Sequence, residues 1–278
     1  MSELATARSF LFVPSNRSER FAKAFASGAD AVIIDLEDAV PVGDKRTARD
    51  QFADAFSHFT ATDRARLVLR INASGTPWHD DDLMLLSRVA QGLAGVMLPK
   101  AESVADLQRV ALAGGPACAL LPLVESVAGL DAANALAAVP QVLRLAFGSL
   151  DFQADLGLAC APDEAELAPV RLALVLASRR ASLAAPIDGV TPGLKDRVQL
   201  QADVARSRRG GFGGKLCIHP AQVATVNAAF TPSAVELAWA QRVLAAFEAA
   251  GDGVISIDGR MVDAPVVRLA LQTLAQCR

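Results

Sequence analysis

Two acidic residues each close a short apolar segment of the chain. Glu125 follows the segment 121–124, and Asp151 ends the segment 144–151 about twenty-five residues later. A buried parallel strand of this kind delivers a carboxylate to the rim of a sheet. A paired Glu and Asp with few basic residues nearby suit a hard, oxygen-seeking cation such as Mg²⁺. Both acids could instead cap the helices that follow them, so the residues alone leave a metal site and a pair of helix caps open.

Strands and helices must alternate if they are to bring such acids together, and the sequence indicates that they do. Buried strands are predicted at residues 9–13, 31–35, 67–71, 95–98, 119–124, 142–147, 185–188 and 214–218. Helices are predicted at residues 18–27, 44–59, 80–90, 104–112, in an Ala-rich stretch through 136, and at 195–208, with a longer excursion at 162–184. Eight β–α repeats in 278 residues predict an α/β fold of the (β/α)₈ TIM-barrel type. The competing fold is a doubly wound open sheet, for which about six strands would suffice.

The chain continues beyond the eighth predicted strand. Helices are expected at residues 221–229 and 233–249, followed by a hairpin-like segment at 254–263 and a last helix. No Pro-, Gly- or Ser-rich linker precedes this part. We therefore predict a catalytic barrel at residues 1–230 that carries a C-terminal helical and hairpin extension at 231–278.

Composition narrows the class of protein. Hydrophobic residues make up 52 % of the chain and charged residues 21 %, which is ample for a large core and argues against disorder. The net charge is −3 and no long Lys/Arg block is present, so nucleic acid is not an expected partner. No apolar segment reaches bilayer length, and the cysteines at 118, 160, 217 and 277 lack metal-ligand spacing. A soluble, cytoplasmic protein without a membrane partner is expected.

Polar residues follow the predicted strands, at the face of a TIM barrel that carries its chemistry. They are Ser15, Asn16, Arg17, Glu37, Asp38, Arg70, Asn72, Lys100, Glu125, Gly148, Asp151, Asp188 and His219. Single members have simpler explanations: Lys100 could lie in a solvated turn, and Asp38 could cap a helix. A ring that mixes carboxylates with cations is too polar to be core, and it predicts an active site.

Several segments in fixed order resemble the CitE-like family. This is the citrate lyase β-subunit and malyl-CoA lyase branch of the HpcH/HpaI aldolase superfamily. The segments are residues 8–17 (RSFLFVPSNR), 31–40 (AVIIDLEDAV), 45–49 (KRTAR), 70–72 (RIN), 98–100 (LPK), 211–220 (GFGGKLCIHP) and 259–266 (GRMVDAPV). No single segment is specific, but the resemblance runs from the first strand to the last helix.

The resemblance implies a magnesium site and a carboxylate site. Glu125 and Asp151 match the family's two protein ligands for Mg²⁺. Arg70 matches the arginine that holds a substrate carboxylate, and its planar fork suits a bidentate contact. Gly148 and Ser149 lie where backbone N–H groups could bind the same carboxylate.

Further acids and a lysine complete the catalytic set that the resemblance implies. Glu37 and Asp38 match acids beside the metal, where they would hold its waters. Lys100 is expected in this polar network and not as a Schiff-base lysine, because a metal already supplies the electron sink. Asp263 matches the acid proposed to take an α-proton from acyl-CoA, delivered from a neighbouring subunit, although without the resemblance it would be interpreted as a turn residue before Pro265.

The implied chemistry is a reversible aldol or Claisen cleavage. A 3-hydroxyacyl-CoA thioester would be cleaved to an acetyl-CoA-type thioester and a 2-oxo acid, with Mg²⁺ polarising the oxygen that becomes the carbonyl. Delivery of Asp263 between subunits implies a homo-oligomer, by likeness a trimer, in which the extension contributes to contacts and to a neighbouring active site.

Coenzyme A has a simpler signature. The loop containing Asn16 and Arg17, with the start of the next helix, could bind phosphate. The family commonly has Gly where Ser15 stands, and this side chain could keep the backbone from the ligand. The three histidines are not expected to be bases: His58 and His79 lie on or near exposed helices, and His219 is a structural partner.

Other activities remain open at this stage. The chain could be a citrate lyase β subunit that acts on a citryl thioester of an acyl-carrier protein, with oxaloacetate as product. It could also resemble malate synthase or a thioesterase, or be a scaffold that only binds ligands. Malyl, citramalyl, citryl and β-methylmalyl groups differ by small substituents, which are distinguished by packing in the pocket.

Overall fold

The computed structural model describes residues 3–194, 196–250 and 254–276. The strands are β1 (Ser9–Pro14), β2 (Ala31–Asp35), β3 (Leu67–Arg70), β4 (Gly95–Leu98), β5 (Ala119–Val124), β6 (Ala146–Phe147), β7 (Ile187–Asp188), β8 (Gly214–Cys217), β9 (Ile255–Ile257) and β10 (Arg260–Val262). The α-helices are α1 (Glu3–Thr6), α2 (Phe21–Phe25), α3 (Lys45–Phe56), α4 (Ala61–Arg64), α5 (His79–Val89), α6 (Val104–Gly114), α7 (Val127–Ala137), α8 (Ser149–Leu156), α9 (Ala168–Arg180), α10 (Arg197–Arg209), α11 (Pro220–Phe230), α12 (Ala234–Ala250) and α13 (Ala264–Ala275). Short 3₁₀ turns lie at Ser18–Arg20, Val42–Asp44, Ala90–Gly92 and Ala165–Leu167.

Strands β1 to β8 close into a parallel barrel. Each strand pairs with the next along the chain, and β8 pairs with β1 through Ser9 opposite Lys215. Helices alternate with the strands, as parallel connections require. The predicted (β/α)₈ TIM barrel is confirmed.

The barrel ladder is shorter than predicted around its sixth and seventh strands. Within the predicted strand 142–147, Val142 forms only an isolated bridge to Leu120, and β6 begins at Ala146. Strand β7 likewise begins at Ile187, two residues later than predicted. The apolar pattern of 142–147 reflects burial, because Leu145 is fully buried without belonging to the regular ladder.

Two predicted helical regions also differ from the structure. The predicted helix 18–27 is a 3₁₀ turn followed by the five-residue α2. The excursion at 162–184 contains the 13-residue helix α9. The helix predicted from residue 195 begins at Arg197, and Lys195 itself lies outside the described residues.

The barrel interior is filled by side chains from alternate positions of the strands. Ala31 and Ile33 in β2, and Leu121 and Leu123 in β5, belong to one buried cluster that also includes Phe10 of β1. Side chains two residues apart point to the same face of a strand, so each strand contributes to the interior in this way. Burying a large apolar side chain stabilises the fold by about 1.5–3 kcal/mol. The packed interior holds the strand ends in position.

The chain divides into two compact units, Met1–Asn227 and Ala228–Arg278. In the second unit, α12 packs against α13, and β9 pairs with β10 as an antiparallel hairpin. Its small core contains Ala240, Val243, Ile257, Val262 and Ala270. The second unit therefore has a hydrophobic core of its own.

The cysteines and the helices relate to the cellular location that the sequence predicts. Cys118 and Cys217 are buried and Cys160 is partly exposed, all as free thiols, whereas Cys277 lies outside the described residues. Every helix in the described ranges is too short or too polar to cross a membrane. The cytoplasmic location stays a prediction.

Candidate active site

A cavity of about 310 Å³ lies at the C-terminal end of the barrel strands. Its lining includes six of the residues predicted for the site: Asp38, Arg70, Glu125, Gly148, Ser149 and Asp151. A larger cavity of about 470 Å³ is lined by residues that precede β3 and β4, such as Arg64 and Gly92, at the opposite end of the barrel. The predicted polar residues therefore converge on the smaller cavity.

Glu125 is held on two sides. It is 3 % exposed, and its Oε1 accepts a hydrogen bond of 2.8 Å from the backbone N–H of Lys100. Lys100 has φ of 45°, a left-handed conformation that is uncommon for residues other than glycine. On the other side, a Cβ at Gly148 would lie 2.5 Å from the Cβ of Glu125. Position 148 therefore needs glycine for space, and the backbone at Lys100 directs a donor at the carboxylate.

The charge state of Glu125 is perturbed. Burial raises its pKa to about 8, the Lys100 hydrogen bond opposes this, and the charges of Asp151 and Glu37 add to it. Asp151 lies in the first turn of α8, which begins immediately after Gly148. Glu125 and Asp151 together offer two carboxylates, and Glu125 is buried with little positive charge around it. Such a pair fits a hard divalent cation.

Arg70 is committed to the protein more fully than predicted. Its Nε and Nη2 donate to the two carboxylate oxygens of Asp35 at 2.6 and 2.7 Å. Its Nη1 lies 3.0 Å from Glu37, and its guanidinium lies over the Phe12 ring at 4.6 Å. Burial opposes its charge, but Asp35 and Glu37 outweigh this effect and raise the pKa of Arg70. The expectation of an open fork needs correction, because Asp35 binds the Nε–Nη2 edge and Glu37 lies beside Nη1. A ligand would have to share the Nη1–Nη2 end with these acids.

Asp35 is a residue of this site that sequence reasoning missed. It ends β2 and is fully buried, and it accepts backbone N–H bonds from Glu37 and Ala39 at 2.9 and 3.0 Å. Burial acts to raise its pKa, but the charge and hydrogen bonds of Arg70 outweigh burial and lower it. Its place in the acid-rich segment 35–38 was visible, but its partner 35 residues away was not.

Glu37, Lys100 and Asp38 form the outer part of the ion-pair network. Glu37 is 6 % exposed, and its Oε1 lies 3.4 Å from the Nζ of Lys100. Burial raises the pKa of Glu37, although the charge of Arg70 opposes this. Asp38 is exposed at the cavity, with its carboxylate 3.8 Å from Arg70. Lys100 thus contacts both the Arg70 side of the site and Glu125, as expected of a polar network.

Lys45 stabilises the backbone segment that carries Glu37. Its Nζ donates to the carbonyls of Leu36 and Glu37 at 2.9 and 2.8 Å, and to Asn72 Oδ1 at 2.7 Å. Asn72 in turn donates from its backbone N–H and its side chain to the buried Asp82. These bonds fix the segment from Leu36 to Glu37, although no site role was predicted for Lys45.

The backbone N–H groups of Gly148 and Ser149, both predicted to bind a substrate carboxylate, differ in their hydrogen-bond partners. The Gly148 N–H donates to the carbonyl of Val124 at 3.0 Å, so the expectation that it binds a substrate carboxylate is wrong. Ser149 starts α8, and N–H groups in a first helical turn have no partner within the helix. Gly189 lies so close to Ser149 that a Cβ there would lie 2.9 Å from the Ser149 Cβ. The first turn of α8 is therefore the amide source at the cavity.

The polar side chains of the loop after β1 have partners within the protein, and the role of this loop as an anion site stays a prediction. Arg17 is paired with Glu19 at 2.8 Å, and the helix beyond it starts as a single 3₁₀ turn. Asn16 donates to Asp44 at 2.9 Å. Ser15 is fully buried, and its hydroxyl donates to the carbonyl of Ala48 at 2.8 Å. The Ser15 side chain therefore points into the protein, and the concern that it would obstruct a ligand is removed.

Two further polar residues of the predicted set are structural. Asp188 is fully buried, bonded to Arg171 at 3.1 Å and to the Ser207 hydroxyl, and the charges of Lys215 and Arg171 overcome burial and lower its pKa. It is a core ion pair and not an open group of the rim. His219 accepts a hydrogen bond of 3.1 Å from the backbone N–H two residues later, in line with a structural place.

His79 starts the partly exposed helix α5, as predicted, but its own side chain is buried. His79 is 1 % exposed, and its Nδ1 lies 2.8 Å from the carbonyl of Asn72. In the first turn of this helix, His79 and Asp82 are buried, whereas Asp80 and Asp81 are exposed.

Asp263 lies in the second unit. It is the N-cap residue of α13, and its Oδ1 accepts a hydrogen bond of 3.3 Å from the backbone N–H of Val266. Pro265 occupies the first turn of that helix, a position that favours proline. A capping role is therefore present, and a catalytic role remains a prediction.

Comparison with known proteins places this geometry in context. Residues 8–220 match the family model described as HpcH/HpaI aldolase/citrate lyase. A citrate lyase subunit beta-like protein of Deinococcus radiodurans is 38 % identical over 280 residues, covering 98 % of this chain and 97 % of the relative. A (3S)-malyl-CoA thioesterase of Cereibacter sphaeroides is 35 % identical over 272 residues, covering 97 % and 94 %.

A solved structure is similar over the whole chain. It is the CitE protein of Mycobacterium tuberculosis in complex with magnesium, acetoacetate and coenzyme A. Its TM-score is 0.84 at 36 % sequence identity, with 98 % of each chain covered. The likeness extends across both compact units of this chain.

Proposed function

Because the chain belongs to the HpcH/HpaI aldolase/citrate lyase family, we propose that it is a magnesium-dependent carbon–carbon lyase of 3-hydroxyacyl-CoA thioesters. Cleavage breaks the bond between C2 and C3, turns the C3 hydroxyl into a carbonyl and returns a proton to C2. The products are a 2-oxo acid and an acetyl-CoA-type thioester. The observation that carries the proposal is the convergence of Glu125, Asp151 and Arg70 on one cavity at the end of the barrel.

Glu125 and Asp151 are the residues that would hold magnesium. The described residues contain no group of three or more His, Cys, Asp or Glu side chains arranged for a metal. Mg²⁺ commonly uses one or two protein carboxylates and takes its other oxygens from substrate and water, so two carboxylates suffice. When bound, the ion acts as a Lewis acid that stabilises negative charge on the substrate oxygens.

The remaining residues of the cavity bind and orient the substrate. The Nη1–Nη2 end of the Arg70 guanidinium is proposed to pair with a substrate carboxylate, in competition with Glu37, because Asp35 binds the Nε–Nη2 edge. The first-turn N–H groups of α8, beginning at Ser149, add donors for the same anion. The Lys100 N–H and the close approach of Gly148 keep Glu125 in one orientation. Glu37, Asp38 and Lys100 are proposed to surround the reacting groups as a charged wall.

The proton on C2 requires a further group, and we assign it to Asp263 of a neighbouring subunit. This assignment follows the family resemblance of residues 259–266 and implies a homo-oligomer, which we propose to be a trimer. Coenzyme A is proposed as the thioester carrier because a structural relative is described with it. The Asn16–Arg17 loop remains its proposed contact, with the Arg17–Glu19 pair opening on binding.

The test is release of 2-oxo acid from malyl-, citramalyl-, β-methylmalyl- and citryl-CoA, with Mg²⁺ or with EDTA. We expect release that needs Mg²⁺ and that falls at least about 100-fold in Glu125→Ala, because a ligand that fixes the metal is lost. Glu248→Ala, at an exposed position, should behave as wild type. Absence of metal-dependent release from every thioester by the folded protein would reject the proposal.

Hydrolysis of the thioester is a second candidate, because a relative that covers 97 % of the chain is a (3S)-malyl-CoA thioesterase. Free CoA released without 2-oxo acid would support it. Activity only on a citryl acyl-carrier protein would instead support a citrate lyase β subunit. With the citryl acyl-carrier protein added to the panel, the assay separates the three reactions by their substrates and products.

Shared active sites are tested by mixing two inactive variants. Co-refolded Glu125→Ala and Asp263→Asn subunits should regain about a quarter of wild-type activity, the statistical share of interfaces that combine both intact residues. Each variant alone should stay inactive. A mixture without regained activity, at a confirmed oligomeric state, would contradict delivery of Asp263 from a neighbour.

A further inference from the structure

Lys215 is a buried cation that has no part in the reaction proposed above. It is 1 % exposed and lies in β8 directly before Leu216, whose side chain lines the cavity. Because successive side chains of a strand point to opposite faces, Lys215 faces the helices around the barrel and not the cavity. Burying an ammonium group is costly unless it is paired and hydrogen-bonded, and an apolar side chain of similar size would avoid that cost. Packing alone therefore does not account for a lysine at this position.

The Lys215 ammonium binds the peptide that follows β7. Its Nζ donates to the carbonyl of Gly189 at 2.6 Å, and the N–H of Gly189 donates to Asp188 Oδ1 at 2.9 Å. Asp188 lies opposite Lys215 in the β7–β8 ladder, is fully buried and is bonded to Arg171 at 3.1 Å. The N–H and the carbonyl of Gly189 are therefore both held by buried side chains.

Gly189 in turn packs against the start of α8. A Cβ at Gly189 would lie 2.9 Å from the Ser149 Cβ and 3.2 Å from the carbonyl oxygen of Phe147. In the described part of the chain the Ser149 hydroxyl has no hydrogen-bond partner, so Gly189 and Ser149 meet through packing. The position of the first turn of α8 against β7 therefore depends on where Gly189 is held.

The same turn contacts β5 on its other side. Gly148, the N-cap residue of α8, lies against the Glu125 side chain, and a Cβ there would lie 2.5 Å from the Glu125 Cβ. The first turn itself carries Asp151. A displacement of Gly189 would therefore allow Asp151 to move relative to Glu125.

On the basis of the proposed function, we propose that Lys215 is a positioning residue that acts through Gly189 to keep Asp151 at a fixed distance from Glu125. Lys215 itself touches neither the substrate nor the metal. Loss of its hydrogen bond leaves the Gly189 carbonyl unbound, and the first turn of α8 then loses its support on the β7 side. Partners that orient metal ligands contribute about 10- to 100-fold to metal affinity or activity, so the effect is large enough to measure.

The test uses Lys215→Met, which keeps an unbranched side chain and removes the ammonium group. We expect Mg²⁺ affinity, measured by calorimetry, to fall about 10-fold. We also expect amide deuterium exchange at residues 148–152 of the metal-free protein to become about 10-fold faster, since the turn is held less firmly. Exchange in β3, on the opposite side of the barrel, should not change. Mass spectrometry of peptic fragments resolves the two regions.

Arg206→Met is the matched control. Arg206 is a cation of the same polar region behind β7 and β8, where it pairs with Asp203 at 2.9 Å and with Glu164 at 2.8 Å. This substitution also removes one positive charge but leaves the bonds of Gly189 intact. Mg²⁺ affinity and exchange at residues 148–152 should therefore stay as in the wild type.

The outcomes separate this inference from the proposed function. Wild-type affinity and exchange in Lys215→Met would overturn it, and so would equal changes in Lys215→Met and Arg206→Met, which would assign the lysine to general stability. If the wild type itself does not bind Mg²⁺, the proposed function fails, and the exchange experiment alone decides the role of Lys215. If Lys215→Met does not fold, Asp188→Asn combined with Lys215→Met removes both charges together, and the same results are expected of it.

Discussion

At the scale of single residues, Glu125 is the group whose chemistry depends most on its surroundings. It is buried beside two other acids, Asp151 and Glu37, and accepts a hydrogen bond from a backbone N–H. Burial raises its pKa to about 8, so below that pH the neutral form dominates in the metal-free protein. A bound divalent cation would favour the ionised form, which links metal binding to proton release.

We therefore expect Mg²⁺ binding to release a proton below pH 8. Because the metal needs the carboxylate, the association constant should fall about tenfold for each pH unit below the pKa of about 8. Titration calorimetry in buffers of different ionisation enthalpy measures the protons released. Glu125→Gln should remove the proton release, and an association constant that does not vary with pH in the wild type would contradict the prediction.

Lys100 contributes to the site through its backbone, and this can be separated from its charge. Lys100→Gly keeps the N–H and adopts a φ of 45° freely, so Mg²⁺ affinity should stay within about threefold of wild type. Lys100→Val disfavours that conformation and should weaken Mg²⁺ affinity by about tenfold or more. Calorimetry measures both variants. Equal losses in the two would assign the role to the ammonium group instead.

At the scale of elements, the site depends on how closely β5 and the start of α8 approach. Gly148 is bonded through its N–H to Val124 and lies against the Glu125 side chain. Its φ of −92° is open to any residue, so the requirement for glycine is one of space. The contact joins the end of one strand to the helix that carries Asp151, so both proposed ligands share one support.

Gly148→Ala should therefore disturb the metal site and the fold together. The new Cβ would lie 2.5 Å from the Cβ of Glu125, which cannot rotate away, so the strand and helix must separate. We expect a loss of about 1–3 kcal/mol in the free energy of unfolding, together with weaker Mg²⁺ binding. Urea unfolding and calorimetry measure the two effects. Gly43→Ala is the control, because a Cβ there meets no atom within 4 Å, and similar behaviour of the two variants would refute this account.

At the scale of the whole molecule, Arg144 holds together parts of the barrel that are distant along the chain. It is fully buried, and its guanidinium donates to the carbonyls of Ala7 and Ala185, both at 2.6 Å, and of Leu4 at 3.2 Å. It also lies over the Phe10 ring at 5.3 Å. One side chain thus joins the start of the chain to the segment before β7 at the end of the barrel opposite the site.

Arg144→Met should lower the free energy of unfolding by about 3 kcal/mol or more. The methionine fills part of the volume but leaves several buried carbonyl groups without a donor. Urea unfolding measures the loss, with Arg46→Met as the control because the Arg46 side chain is 90 % exposed. A loss no larger than that of the control would show that water replaces the guanidinium.

The sequence by itself determined the barrel and the region of its chemistry. Eight apolar segments separated by helical patterns predicted the order of the strands. This was possible because hydrophobic periodicity is a local property of the sequence and does not depend on contacts between distant segments. The polar residues after those segments predicted the rim, and Glu125, Asp151 and Arg70 do line one cavity there. Their catalytic roles stay predictions.

Only the tertiary structure decided how each group is used. Asp35 binds the Arg70 fork from 35 residues away, Gly148 donates its N–H to the sheet, and Asp188 is a buried ion pair. Such outcomes depend on which strand ends meet and on the directions of individual N–H groups and side chains. Residue types along a chain do not carry these directions, because packing between distant segments sets them.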